Sequence, residues 1–74
     1  MIFQVWAGPT PIEGEGEKVR APMAPWAAEA AVSRWAKANP AAWPDGEHEV
    51  YVCGEFVDQV IRVRVSRELR VEAM

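Results

Sequence analysis

The sequence is short of the residues on which most small-protein chemistries are built. Among its 74 residues there is one cysteine, Cys53, one histidine, His48, one tyrosine and one leucine. A lone cysteine cannot close an internal disulfide, which excludes a disulfide-framed secreted scaffold. One cysteine and one histidine fall short of a four-ligand zinc site within a single chain. No apolar run approaches the roughly 20 residues that a membrane helix needs. The stretch Met1-Ile2-Phe3-Gln4-Val5-Trp6 lacks the basic start and long apolar core of a signal peptide. A cytoplasmic protein that needs no membrane, metal or cofactor is the expectation.

What is present is apolar and β-branched. Half the chain is hydrophobic, and 12 of those 37 residues are alanines. Ten valines and three isoleucines against one leucine favour sheet over a helical bundle. Eleven acidic and eight basic residues give a net charge of −3, unlike a protein that coats a polyanion. The length allows one domain, residues 1–74. A core of this size supplies about 3–5 kcal/mol, so self-association would be a natural supplement.

Residues 2–7 are predicted as a first strand, stopped by Gly8-Pro9 and Pro11. An acidic turn through Glu13 and Glu15 leads to a short second strand at 17–21, ended by Pro22. Pro25 suits the first turn of a helix, and the alanine-rich run to Ala38 stops at Asn39-Pro40. Helical spacing places Ala24, Ala28, Ala31, Val32 and Trp35 on one stripe, with Trp35 filling the centre of the contact. Trp43-Pro44-Asp45-Gly46 is a turn signal, after which 47–53 alternates as a third strand. Residues 60–74 alternate as a fourth, with Arg67 breaking the apolar parity. Fully extended, that stretch would span about 50 Å, so it must bend near Arg67 or pair with a neighbouring copy. The expected fold is α+β: a four-stranded, largely antiparallel sheet with one helix on one face, in the order β-β-α-β-β.

One helix covers one face, which leaves the other open. Strand parity assigns Trp6, Lys18, Arg20, Tyr51, Arg62 and Arg64 to the uncovered face, with Ile2, Gln4, Glu49, Cys53 and Ser66. The carboxylates of Glu13, Glu15, Asp45, Glu47, Glu55 and Asp58 are assigned to turns. Residues 1–59 carry 4 cations and 9 acids (−5), residues 60–74 carry 4 and 2 (+2), so a locally basic plate is expected. Aromatics beside Arg and Lys hold single-stranded nucleic acid by stacking and phosphate pairing. The same residue types are the anchors of protein interfaces, and Trp6 is the foremost candidate as an exposed anchor. A third reading is a solvated face in which Glu49 pairs across strands with Arg62 or Arg64. The acidic turns at Glu13, Glu15, Asp45 and Glu47 are a secondary candidate surface.

A catalytic group is not expected. His48 and Cys53 lie five apart on a strand and point to opposite faces. Ser33 and Ser66 have no base of the required type, and the run Glu13-Gly14-Glu15-Gly16-Glu17-Lys18 is neither a phosphate loop nor a rigid carboxylate pair. Cys53 is expected half-buried, and Trp43 to close the core from its loop.

The strand, acidic turn, second strand ending Val19-Arg20-Ala21-Pro22, alanine-rich helix and final His48-Glu49-Val50-Tyr51-Val52 with its basic strand resemble the small accessory proteins of phages and other mobile elements. The resemblance spans nearly the whole chain and lies in element order and composition. It implies a non-enzymatic protein that binds and blocks a host protein complex, in the manner of anti-CRISPR inhibitors. The expected partner is therefore a protein, with single-stranded nucleic acid on the open face as the alternative and a homodimer through the C-terminal strand as an accompaniment.

Overall fold

The computed structural model describes residues 1–10, 16–66 and 70–74. Strands β1 (Ile2–Ala7) and β2 (Glu17–Arg20) precede helix α1 (Ala24–Ala38). A 3-10 turn (Pro40–Ala42) leads to β3 (Gly46–Cys53), β4 (Asp58–Val65) and β5 (Val71–Ala73). The class is α+β as expected, but the sheet has five strands, in the order β2-β1-β3-β4-β5, with every neighbouring pair antiparallel. It curls into a half-barrel around its helix.

The fifth strand comes from the stretch expected to form one long fourth strand. The chain reverses between Ser66 and Arg70, where the Ser66 N–H donates to the Arg70 carbonyl at 2.9 Å. Arg67, the residue that breaks the parity, lies outside the described residues. Reversal resolves the length problem within one chain, because β5 folds back on β4 with Val65 opposite Val71 and Val63 opposite Ala73.

The helix begins where expected. Pro25 occupies its first turn, where a missing N–H costs nothing, and Met23 supplies no side-chain cap. At the other end the Asn39 N–H closes onto the Trp35 carbonyl at 2.9 Å, and Pro40 prevents a further turn. The buried stripe is Ala24, Ala27, Ala28, Ala31, Val32 and Ala36. Against it the sheet presents Phe3, Val5, Val19, Val50, Val52, Ile61, Val63 and Val65. Small side chains on the helix let its backbone approach a floor of valines closely, and no leucine is needed. The Arg34 guanidinium lies 3.3 Å from Glu17 Oε2 and ties the helix to β2. That oxygen is shielded from water but makes no aligned hydrogen bond, so the tie is Coulombic.

Trp35 corrects the helix expectation. It is half-buried at the margin of the core instead of filling its centre, which the alanines occupy. Its indole stacks on Trp43, with ring centroids 5.7 Å apart and planes at 26°. Trp43 in turn meets the His48 ring at 5.1 Å, and the His48 Nε2–H donates to the Pro44 carbonyl at 2.7 Å. This three-ring stack fastens the helix end, the turn and β3 together, with Trp43 packed on the core from its loop as expected.

Because Ala31 is fully buried against the valines, Ala31→Leu should overpack the interface and destabilise the protein by about 1–3 kcal/mol. Urea unfolding followed by far-UV circular dichroism measures this. An unchanged midpoint would show that helix and sheet are not in close contact there.

Candidate functional site

Register lays the face turned away from the helix out in rows across the strands. Trp6, Tyr51 and Val60 form one row on β1, β3 and β4. On one side of it lie Lys18, Gln4, Cys53 and Asp58, and beyond them Arg20 beside Ile2. On the other side Glu49 faces Arg62, and then Glu47, Arg64 and Glu72 stand abreast. Parity therefore brings Trp6, Lys18, Arg20, Tyr51, Arg62 and Arg64 onto one surface as expected. Their surroundings differ from the expectation in three respects.

The first concerns charge. Glu47 and Asp58, assigned to turns, are strand residues of this same face, and Glu72 of β5 joins them. Glu47 reaches both arginines of β4, at 3.6 Å from Arg62 and 3.9 Å from Arg64. Cross-strand pairing thus exists, but Glu47 makes it, while Glu49 stands opposite Arg62 in register. Across the strand residues of the face, Lys18, Arg20, Arg62 and Arg64 (+4) meet Glu47, Glu49, Asp58 and Glu72 (−4), which sums to zero. The basic plate is a neutral, alternating lattice.

The second concerns Trp6, which is not an exposed anchor: it is only 9% exposed. It meets Tyr51 edge-on at 5.7 Å, and the chain entering β2 crosses over its indole at Gly16. A Cβ at Gly16 would stand 2.7 Å from Trp6 Cε2 and 2.5 Å from Gln4 Cγ. Only a glycine permits so close a passage. Tyr51 remains half-buried and Val60 is 42% exposed, so the apolar row is accessible at its β3 and β4 end.

The third concerns residues that parity alone did not single out. Val60 is the one apolar side chain on the outward parity of β4, a signal present in the alternation from 60 onward. Phe56 at the tip of the β3–β4 turn is 83% exposed, and Trp26 on the solvent side of the helix is 56% exposed. A single aromatic residue in a turn carries no periodic signal, whereas helical phase sets Trp26 on the polar side with Glu29, Ser33 and Lys37, either folded back under residues 22–25 or exposed, and it is exposed.

Of the acidic turns, Glu13 and Glu15 lie outside the described residues, and Asp45 is exposed in the turn before β3. His48 faces the helix side, in line with Val63, whereas Cys53 faces outward beside Asp58, so the two cannot act together. The Cys53 thiol is half-buried, 3.9 Å from the Gly54 carbonyl. Among the described residues no group of three or more His, Cys, Asp or Glu is placed to hold a metal ion. No helix among them is long and apolar enough to cross a membrane. Comparison with family models, curated proteins and solved structures finds no match to this chain.

Because the Trp6 indole is enclosed, Trp6→Ala should cost about 3–5 kcal/mol. That is a large fraction of what so small a domain holds. Thermal unfolding checks it: a loss below about 1 kcal/mol would restore Trp6 as a surface group.

Proposed function

We propose that this chain is a non-enzymatic binding protein that docks on a protein partner through the sheet face its helix leaves uncovered. The observation that carries the reading is the layout of that face. A central apolar row ending in Tyr51 and Val60 is flanked by charged residues on both sides, and on one side Glu47 pairs with Arg62 and Arg64. Protein interfaces have this anatomy, an apolar centre within a polar rim, and aromatic anchors dominate their energetics. A rim whose charges sum to zero offers specificity through complementary pairing without attracting every polyanion.

The same charge balance weighs against the single-stranded nucleic-acid reading. Phosphate contacts dominate such affinity, and here Glu47 engages both Arg62 and Arg64. With Trp6 enclosed, the face offers one accessible ring for base stacking instead of two. Resemblance to the accessory proteins of phages and mobile elements extends the proposal to a mode of action. Occupying the partner's surface would block a host protein complex without any chemical step.

A pair of variants tests the face. Tyr51→Ala should lower affinity for a captured partner at least tenfold, about 1.4 kcal/mol, while Tyr51→Phe retains most of it. Both variants must keep the far-UV spectrum and cooperative unfolding of the parent protein. Equal binding by Tyr51→Ala and the parent chain would overturn the reading. Salt-dependent quenching of tryptophan fluorescence by a single-stranded oligonucleotide would do so in favour of nucleic acid.

A further inference from the structure

Charge on the open face is balanced in total but divided in space. The strand residues that β2 and β1 contribute include Lys18 and Arg20 and no acid, a sum of +2. Those of β3, β4 and β5 include Glu47, Glu49, Asp58 and Glu72 (−4) with Arg62 and Arg64 (+2), a sum of −2. Glu47 already engages both of these arginines. Lys18, Arg20, Glu49, Asp58 and Glu72 make no ion pair among the described residues. A cationic half therefore lies beside an anionic half, and the seam between β1 and β3 divides them.

Such a face is complementary to itself. A two-fold axis across the strands would lay β2 on β2, like half on like. An axis parallel to the strands and along the seam lays β2 of one copy over β4 of the other, and β1 over β3. Each row then faces its own row. Lys18 meets Asp58 of the second copy, and Gln4 meets its Cys53. Tyr51 lies over Trp6 of the other copy, where Gly16 passes as bare backbone. The contact is isologous, so every pair occurs twice. Because the sheet curls around its helix, the open face is convex. Two copies touch along β1 and β3 and part toward the edges, where a long lysine side chain spans the gap.

We propose that a second copy of the chain occupies this face, in a two-fold sandwich held by Lys18 and Asp58 across the seam. The inference rests on the reading of the face as a protein-docking surface and names its occupant when no other protein is bound. Aligned packing of two sheets, each with its helix outermost, is an ordinary sandwich geometry. Four strands about 4.8 Å apart and roughly 20 Å long offer less than the roughly 800 Å² per partner of a standard interface. The dimer is accordingly a weak one. A tighter partner displaces the second copy, since both use the same rows.

Sedimentation equilibrium with a charge-reversal pair tests this. Between micromolar and millimolar concentration the weight-average mass should rise from 8.3 kDa toward twice that value. Lys18→Glu and Asp58→Lys should each weaken association about tenfold, because symmetry sets two like-charged pairs in place of two opposite ones. The double variant should restore it. Within one chain the two residues lie three strand spacings apart, about 14 Å, so that rescue cannot arise inside a monomer. A short bismaleimide on the parent chain gives a readout that needs no variant. Cys53 of the two copies would lie one strand spacing apart across the seam, and a covalent dimer should form. A mass that stays at 8.3 kDa at millimolar concentration overturns the proposal. So does a dimer that ignores the single reversals, or one that the double variant fails to restore. A monomeric parent whose partner capture still depends on Tyr51 would remove the self-pairing alone. A charge-dependent dimer whose partner capture ignores Tyr51→Ala would keep the self-pairing and remove the other reading.

Discussion

Everything in this fold depends on the fit between a stripe of alanines and a floor of valines. A single 15-residue helix has to serve as the whole second layer for five strands. Large side chains would hold it away from the sheet and leave the margins unfilled. With Ala24, Ala27, Ala28, Ala31 and Ala36 against it, the backbone comes close enough for the sheet to curl around it. Curling brings the margins to the helix, where Trp35 and Trp43 fill the remaining space at one end. The scarcity of leucine and the abundance of alanine and valine are two sides of that one constraint. Among the described residues no second helix covers the opposite face.

Much of the architecture could be seen in the sequence because strand parity is a rigid rule. Wherever a strand is half-buried, every second residue must be apolar, and Phe3, Val5, Val50, Val52, Ile61, Val63 and Val65 obeyed it. The same rule hid the fifth strand. Val65 pairs with Val71 in the β4–β5 hairpin, so the buried residues on both strands are odd-numbered. Apolar parity is therefore the same before and after the turn, and only the break at Arg67 and the excessive length of the stretch hinted at a reversal. In the β3–β4 hairpin Val50 pairs with Ile61, parity flips, and the turn was visible.

The candidate site was less legible, since parity gives direction but not depth. It placed Trp6 on the outward face correctly. Nothing local could show that the chain, returning at Gly16, would lie across the indole. Charge failed for a different reason. Glu47 was grouped with the turn carboxylates although it opens the strand drawn at 47–53, and Asp58 lay before a strand drawn from 60; with Glu72 uncounted, a neutral lattice became an apparent basic plate. The ion pairs of Glu47 to Arg62 and Arg64 are diagonal and lateral relations across strands. They exist only once the register is known.

The position of β1 within the sheet bears on how the chain assembles. The first strand of the sequence lies between β2 and β3, bonded to both. Its pairing with β2 is a local hairpin, and β3, β4 and β5 form a second run of hairpins that can close on its own. What joins the halves is the seam from Gln4 opposite Cys53 to Ala7 opposite Val50, partners more than forty residues apart in the chain (50 − 7 = 43). Closing so long a loop is entropically costly and slow compared with turning a hairpin. The intervening segment is the alanine helix, whose docking on either half shortens the search for the other. The two runs of hairpins thus meet at the β1–β3 seam and under the helix, which packs on strands of both.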